Sequence, residues 1–345
     1  RAYGNNTTHT YADYQNPSVA NVDWNGKSGN WRESNKGSVV DYQVIWLSAW
    51  VRELGIDGFR CDTQKHVQEQ YWKKLQQACQ SALEAWRNDP EKVDNSGAKN
   101  WDENFWMTGE CCPRGDDNTG APYTEGYFDS MINFRDSSAS AHTAGSMIRE
   151  DEWSSYMKIN NNVIDSNNNG NRNNLLTYVS SHDTGICRQG GVKLGTMLQL
   201  LPGGVQIYYG DESDRPTYSG ASGDMVSRSD MNWNDVEGSK KAMVAHWGKV
   251  GNFRKFNPAV GAGSGTAYKR TYTGTNAGGE NKVAISISSG TVDVSDLFNN
   301  GTTVYNWYDG KSATVSSGKV TFNGGSVETP VLVSDRNPAD YGVTF

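Results

Sequence analysis

The sequence predicts an α/β domain built on a parallel sheet, followed by a smaller all-β domain. The first observation is that helix-like and strand-like stretches alternate along most of the 345 residues, which is typical of β-α-β units. The second is a change after Pro258, where short β-rich runs are divided by Gly, Asn and Ser turns and no helical period remains. The third is that predicted strands end in acidic residues, among them Asp62, Glu110 and Asp183. The alternation leaves open whether the parallel sheet is doubly wound or closed as a barrel.

The predicted elements begin after residue 35. Residues 1–35 are rich in Asn, Thr, Gly and Tyr and lack apolar periodicity, so we expect a loop or the end of a longer excursion. Apolar residues at helical spacing from Ser38 onward predict a helix that stops at Gly55, and the strand IDGFRCD follows at once. The next predicted elements are a helix at 67–86, strands at 105–110, 127–134 and 175–183, a helix at 193–201, a strand at 203–212 and a helix at 240–256. We place the domain boundary near residue 262, which gives predicted domains at 36–262 and 263–345.

Composition and charge narrow the class of partner. The net charge of −7 and the pI near 5.3 argue against a nucleic-acid partner, which would require a basic face to neutralise phosphates. No stretch approaches eighteen uninterrupted apolar residues, so we expect no membrane span. The chain starts at Arg1 without a leader-like segment, and we expect that any leader has been removed.

The cysteines do not match a zinc site. Their number is odd and none of their spacings is that of paired zinc ligands; they are Cys61, Cys79, Cys111, Cys112 and Cys187. The low Lys content and the abundance of Asn, Gly, Ser, Tyr and Trp are typical of a secreted or periplasmic protein, in which one or two disulfides could persist. Cys61 is expected to be a buried thiol, since strand alternation points it away from Asp62.

The acidic residues at the strand ends carry the functional prediction. They are Asp62 after GFRC, Glu110 after WMTG and Asp183 after VSSH. In a closed parallel barrel the carboxyl ends of the strands share one face, so three such acids would meet in one pocket. One carboxylic acid can then protonate a glycosidic oxygen while a carboxylate ~5 Å away attacks the sugar carbon, which retains the anomeric configuration. Arg60 shares the face of Asp62 and would keep that carboxylate ionised and oriented.

Each acid also has an ordinary structural interpretation. A single Asp or Glu at a strand end is most often the N-cap of the next helix or half of a surface ion pair. Three of them with polar companions favour the catalytic interpretation.

The motifs around these acids resemble those of the α-amylase family of glycoside hydrolases. GFRCDTQKH resembles the motif of the family's fourth barrel strand, the Glu of WMTGE stands where the fifth-strand acid does, and YVSSHD and GGVQIYYGDE are similar to the seventh- and eighth-strand segments. The resemblance covers about residues 38–262 and implies a (β/α)8 TIM barrel, in which the fourth to eighth strands are recognisable, with an all-β sandwich after it.

The resemblance also implies roles for individual residues. Asp62 would be the nucleophile, Glu110 the general acid/base and Asp183 the stabiliser of the transition state. Arg60 would orient Asp62, and His182 would bind hydroxyls of the reacting sugar ring. The alternative for His182 is a ring that is hydrogen-bonded within the protein and does not touch the substrate.

Further expectations concern substrate and calcium binding. Lys65 and His66 would lie on the leaving-group side, and the backbone carbonyl of His66 would be a calcium ligand. The alternative for Lys65 is a solvated cation at a helix start. Aromatic rings stack on the apolar faces of glucose, and the candidates near the cleft are Trp101, Trp106, Tyr127 and Trp233.

One departure from the family pattern is large. Nothing before residue 36 is recognisable as the first three barrel strands, and the family's Asp-x-x-x-Asn-His segment, which supplies a calcium ligand and a substrate-binding His, is missing. Such a barrel would be open at one edge. We expect either that the chain is the C-terminal portion of a longer polypeptide, whose N-terminal part would be a partner, or that a second copy completes the sheet. Calcium binding is expected to be weakened or lost.

The predicted function is retaining, endo-acting hydrolysis of α-1,4-glucosidic bonds in starch, glycogen or maltodextrins. A 4-α-glucanotransferase would use the same acids and pass the glycosyl intermediate to a sugar instead of water. An inactive glucan-binding fragment is the alternative from another class. A dinucleotide-dependent dehydrogenase is disfavoured, because no predicted strand is followed by G-x-G-x-x-G.

Overall fold

The computed structural model describes residues 39–94, 97–100, 103–111, 128–134, 153, 175–183, 185–188, 190–274 and 278–345. The described residues up to Cys111, together with 128–129, belong to one compact unit. Those from Ser130 to Phe345 belong to a second. The expectation for residues 1–35 lies outside the described residues.

The described part of the first unit contains two helices and a pair of parallel strands. Its elements are α1 (Val39–Leu54), β1 (Gly58–Cys61), a 3-10 turn (Gln64–His66), α2 (Glu69–Asn88), a 3-10 turn (Ala98–Asn100) and β2 (Trp106–Gly109). The two strands run parallel in a register that pairs Gly58 with Trp106 and Cys61 with Gly109. Their carboxyl ends therefore lie side by side, and the residues that follow them are neighbours.

Helical spacing explains the packing of α2. Its buried residues recur every three or four positions and form one stripe: Trp72, Leu75, Cys79, Leu83 and Trp86. The predicted stop of α1 at Gly55 is confirmed, since the Gly55 amide donates to the Val51 carbonyl at 2.8 Å. Gly55 has a φ of +66°, and a Cβ there would lie 2.5 Å from the Trp86 ring, so glycine is required.

The second unit starts with parallel strands and their helices. The strands are β3 (Ser130–Ile132), β4 (Leu175–Tyr178) and β5 (Gly204–Gln206), and β4 pairs with both of the others. The helices are α3 (Gly191–Gln199), α4 (Trp233–Glu237), α5 (Lys241–Phe256) and α6 (Ala259–Ala262), and 3-10 turns lie at Asp211–Ser213 and Gly223–Ser227. The predicted alternation is confirmed here, but β4 and β5 end several residues before Asp183 and Glu212.

An antiparallel region follows. Its strands are β6 (Ser264–Gly265), β7 (Lys269–Tyr272), β8 (Asn281–Ser286), β9 (Thr291–Asp293), β10 (Thr303–Asn306), β11 (Ser312–Thr314), β12 (Lys319–Thr321) and β13 (Val331–Ser334), and a 3-10 turn lies at Pro338–Tyr341. Six strands form one sheet in the order β11-β10-β13-β8-β7-β6, and β12 pairs with β9. The change from helix to strand falls between Ala262 and Ser264.

The two faces of the six-stranded sheet pack against different layers. Ala284 and Val333 face the β9–β12 pair, in a cluster with Val292 and Val320. The residues on the opposite face, among them Val283, Ile285 and Leu332, belong to a cluster that includes buried side chains of α3, α5 and α6. Alternation along the strands produces this division. The antiparallel region and the helices therefore share one core.

The expected disulfides are not found among the cysteines that the structure describes. Cys61, Cys79, Cys111 and Cys187 are free and buried, and Cys112 lies outside the described residues. The prediction for Cys61 is confirmed, because the side chain is buried and burial raises the pKa of its thiol to about 12. Although Cys61 precedes the exposed Asp62, it is a packing residue and not a reactive thiol. None of the helices in the described ranges has the length and apolarity to cross a lipid bilayer.

A buried histidine predicts acid sensitivity of the second unit. His246 on α5 is hydrogen-bonded at Nε2 to Thr196 Oγ1 (2.8 Å) and at Nδ1 to the hydroxyl of Tyr308 (2.9 Å). Burial lowers the pKa of His246 below its ordinary value of 6.5, and the charge of Lys249 acts in the same direction. The unfolded chain therefore binds a proton that the folded chain resists, and the free energy of unfolding should decrease as the pH falls below 6.5.

Urea denaturation of the native chain and of His246→Gln between pH 7.5 and 5 measures this effect. We expect the native chain to lose stability over that interval and the variant, although less stable at pH 7.5, to lose less. Parallel pH profiles for the two proteins would contradict the assignment.

Candidate active site

The first group of candidate residues follows β1. Arg60 Nη1 donates to Asp62 Oδ2 at 2.6 Å, as expected for side chains two positions apart along an extended segment. The side chain of Asp62 is 66% exposed and that of Arg60 31%, so the carboxylate is oriented by a cation and still open to a ligand. The predicted orienting role of Arg60 agrees with this geometry.

The turn after β1 is tied to the residue that follows β2. The Thr63 amide donates to Glu110 Oε2 at 2.9 Å, and the Gln64 amide donates to the Glu110 carbonyl, also at 2.9 Å. Thr63 has a φ of +51°, a left-handed conformation that is unfavourable for a β-branched residue. The surrounding bonds maintain it, and it aims the Thr63 amide at the Glu110 carboxylate. Asp62 and Glu110 are thereby fixed at adjacent strand ends.

Lys65 and His66 belong to the 3-10 turn and not to the following helix. Both side chains are exposed, whereas Gln64 is buried and its carbonyl accepts from Trp72 Nε1 at 3.0 Å. The sequence places Lys65 and His66 at the start of a helix, but α2 begins only at Glu69. The bond from Trp72 to the Gln64 carbonyl holds the turn as a separate element between β1 and α2.

The second group lies in the other unit, beyond β4. Asp183 Oδ1 accepts from Arg228 Nη2 at 3.0 Å, and Asp183 Oδ2 lies 2.9 Å from His182 Nε2. The Asp183 amide donates to Ser181 Oγ at 3.2 Å, which fixes the turn locally. The structure thus brings His182 and Asp183 together, and it adds Arg228, which the sequence analysis does not predict as a site residue.

Arg188 and Asp211 form a buried ion pair in the second unit. Asp211 Oδ1 accepts from Arg188 Nη1 at 2.8 Å, and the side chains of Asp211 and Arg188 are 0% and 18% exposed. Asp211 Oδ2 also accepts from the Tyr208 amide at 3.2 Å. Burial raises the pKa of Asp211, and hydrogen bonds from Ser180 and Arg188 act in the opposite direction. The pair joins the segment after β4 to the segment after β5.

The predicted sugar-stacking residues are only partly described. Trp106 on β2 is exposed in the first unit, and Trp233 at the start of α4 is exposed in the second. Trp101 and Tyr127 lie outside the described residues. An exposed tryptophan face suits a sugar ring, but neither position is bonded to the acidic groups above.

The described residues do not form a metal cage of their own. Within the described ranges, no group of three or more His, Cys, Asp or Glu side chains could hold one ion. The His66 carbonyl would contribute one oxygen, whereas Ca²⁺ takes six to eight oxygen ligands. The expectation that calcium binding is weakened or lost stays a prediction.

A family model and two curated relatives match the chain. The model for the α-amylase catalytic domain matches residues 30–255. The periplasmic α-amylase of Escherichia coli (strain K12) is 40% identical over 249 residues, which cover 71% of this chain and 34% of that protein. An α-amylase of Streptomyces lividans is 27% identical over 228 residues, which cover 61% of this chain and 22% of that protein. The chain therefore spans about a third or less of the curated relatives it matches.

Solved structures show a similar fold. A crystal structure of an Anoxybacillus α-amylase has a TM-score of 0.54 at 20% identity, covering 90% of this chain and 65% of that chain. The α-amylase of Geobacillus thermoleovorans, crystallised with acarbose, has a TM-score of 0.56 at 17% identity, covering 89% and 65%. At identities this low, the similarity shows a common fold and does not identify a function.

Proposed function

The chain belongs to the α-amylase family, and from that premise we propose that it hydrolyses internal α-1,4-glucosidic bonds of starch, glycogen or maltodextrins with retention of configuration. The family supplies the barrel architecture, with the carboxyl ends of its strands on one face. The candidate acids follow strands of that kind.

The observation that carries the proposal is the bonding at the ends of β1 and β2. A nucleophile must be ionised and held in one direction, and Asp62 has Arg60 at 2.6 Å for that purpose. A proton donor must be fixed beside it, and the Thr63 amide holds the Glu110 carboxylate at 2.9 Å. In the proposed reaction Glu110 protonates the leaving oxygen while Asp62 attacks the anomeric carbon. Glu110 then deprotonates the water that releases the glycosyl group.

The second group would act on the sugar ring. Asp183 carries a carboxylate that can stabilise the positive charge developing on the ring, and His182 can bind a hydroxyl. Lys65 and His66 would contact the leaving-group side, where their exposed position supports contact with a glucan. Trp106 and Trp233 would stack on glucose units beyond the reacting one.

We also propose an extracytoplasmic location, secreted or periplasmic. The periplasmic relative in E. coli supports it. The proposed partner is an α-glucan or maltooligosaccharide substrate, which membership of the family supports.

The experiment is starch hydrolysis with product analysis. The chain is incubated with soluble starch and reducing ends are measured; maltoheptaose products are separated, and their anomers are followed by NMR. Shorter maltooligosaccharides of initially α configuration support the proposal. Products longer than maltoheptaose would indicate a 4-α-glucanotransferase, and bound maltoheptaose without turnover would indicate a glucan-binding fragment. Initial β products would contradict retention.

Calcium binding is expected to be weak or absent. After treatment with a chelator, isothermal titration with Ca²⁺ should show no site of micromolar or tighter affinity, because the Asp-x-x-x-Asn-His segment that supplies a calcium ligand in the family is missing from this sequence. A stoichiometric heat at micromolar Ca²⁺ would contradict this expectation.

A further inference from the structure

Arg228 contacts both the Asp183 carboxylate and the main-chain carbonyl of His182. Its Nη2 lies 3.0 Å from Asp183 Oδ1, and its Nε donates to the His182 carbonyl at 3.3 Å. The hydroxyl of Ser227 donates to the same carbonyl at 2.9 Å. The arginine therefore holds the carboxylate and the main chain beside it, and a rotation of Asp183 about its side-chain bonds would break the first contact while the second stayed in place.

The segment that carries Arg228 is held by a buried cation. Arg215 is completely buried; its Nη2 donates to the Ser227 carbonyl at 3.0 Å and its Nη1 to the Ser229 carbonyl at 2.9 Å. The carbonyls of Ser227 and Ser229 also accept from the hydroxyls of Tyr208 (3.1 Å) and Tyr209 (2.8 Å). The guanidinium stacks 3.8 Å from the centre of the Tyr209 ring. Residues 227 and 229 are thus anchored on both sides of Arg228.

This anchoring matters because burying a guanidinium is costly. Its burial is tolerated only when its donors are satisfied; here Nη1 and Nη2 donate to the main chain of the segment that presents Arg228, and Nε donates to the Tyr209 carbonyl at 2.9 Å. A surface arginine would otherwise lose considerable side-chain freedom on holding one geometry. A fixed backbone reduces the loss of side-chain entropy for Arg228, whose side chain is 39% exposed.

We propose that Arg228 is a positioning residue for Asp183, and that Arg215 fixes Arg228 in place; the proposal rests on the function proposed above. Asp183 would be held with one oxygen on Arg228 and the other on His182. Each oxygen then retains a lone pair for the sugar. A second carboxylate, Asp224 Oδ2, lies 3.8 Å from Arg228 Nη2 and competes only weakly at that distance.

The test compares Arg228→Ala and Arg228→Lys with the native chain, by kinetics on maltoheptaose and by crystallography. Arg52→Gln, an exposed site in the last turn of α1, serves as the control for loss of an arginine charge. For Arg228→Ala we expect kcat to fall about 100-fold with KM nearly unchanged, because a misplaced catalytic group reduces the rate and not the binding of remote sugars. Added guanidinium ion should restore part of kcat in Arg228→Ala, and Arg228→Lys should be intermediate.

The crystallographic comparison decides the positioning independently of turnover. The Asp183 carboxylate should move or become disordered in Arg228→Ala and should remain in place in Arg52→Gln. An unmoved carboxylate would overturn the proposal, as would a raised KM with native kcat, which would mean that Arg228 binds sugar directly. If the native chain released no sugar, the proposed function would fail while the position of the carboxylate would still decide the role of Arg228.

Discussion

Asparagine in place of Asp62 is expected to lower kcat on starch by at least about 10³-fold, the largest effect on activity that we predict. The amide has the size of the carboxylate but cannot form the covalent bond to the anomeric carbon. Both side chains of the Arg60–Asp62 pair reach solvent, so the variant should fold normally. Reducing-sugar release measures the loss, and the thermal midpoint checks the fold.

Asp57→Asn is the matched control for this variant. Asp57 is exposed and precedes β1, so the same chemical change is made at the opposite end of the strand. Native activity in Asp57→Asn together with loss in Asp62→Asn supports the assignment. If Asp62→Asn retained native activity, Asp62 would not be the nucleophile, whatever the family pattern implies.

The largest effect on stability is expected from Asp211→Asn, which should lower the free energy of unfolding by about 3–5 kcal/mol. The substitution preserves shape but leaves the guanidinium of Arg188 without its counter-charge in a site that is only 18% exposed. Urea denaturation at pH 7 measures the change. Removing the pair completely with Asp211→Leu and Arg188→Met should cost less than the single substitution, because no uncompensated charge remains.

Asp296→Asn is the control for the stability experiment. Asp296 also pairs with one cation, Lys269 at 3.2 Å, but its side chain is exposed. Loss of such a surface pair should change the free energy of unfolding by less than about 1 kcal/mol. Equal losses in Asp211→Asn and Asp296→Asn would show that burial does not distinguish the two pairs.

The parts of the site that the sequence predicts are those encoded within a few residues. Arg60 and Asp62 are two positions apart on one strand, and strand alternation alone places them together. Asp62 and Glu110 follow parallel strands, and the register of those strands makes their ends neighbours. Local pattern is sufficient for the first pair, and the parallel pairing expected of neighbouring β-α-β strands is sufficient for the second.

The parts that it does not predict depend on distant contacts. Arg228 reaches Asp183 across 45 residues, and no periodicity connects two loops at such a separation. The sequence also does not predict that β4 and β5 end early, because a sequence motif does not show at which residue backbone pairing stops and a turn begins. The disulfide expectation is wrong for the described cysteines because composition indicates a compartment and not a distance between sulfur atoms.

The core shared by the helices and the antiparallel sheet has a consequence for the order of events during synthesis. A ribosome releases α3 and α5 well before Val283, Ile285 and Leu332, which belong to the same buried cluster. Until those residues emerge, the part of the helices' apolar surface that packs against the sheet has no partner there and is a surface on which a nascent chain can be captured by chaperones or aggregate. The second unit can therefore complete its core only after the segment up to Leu332 has been translated.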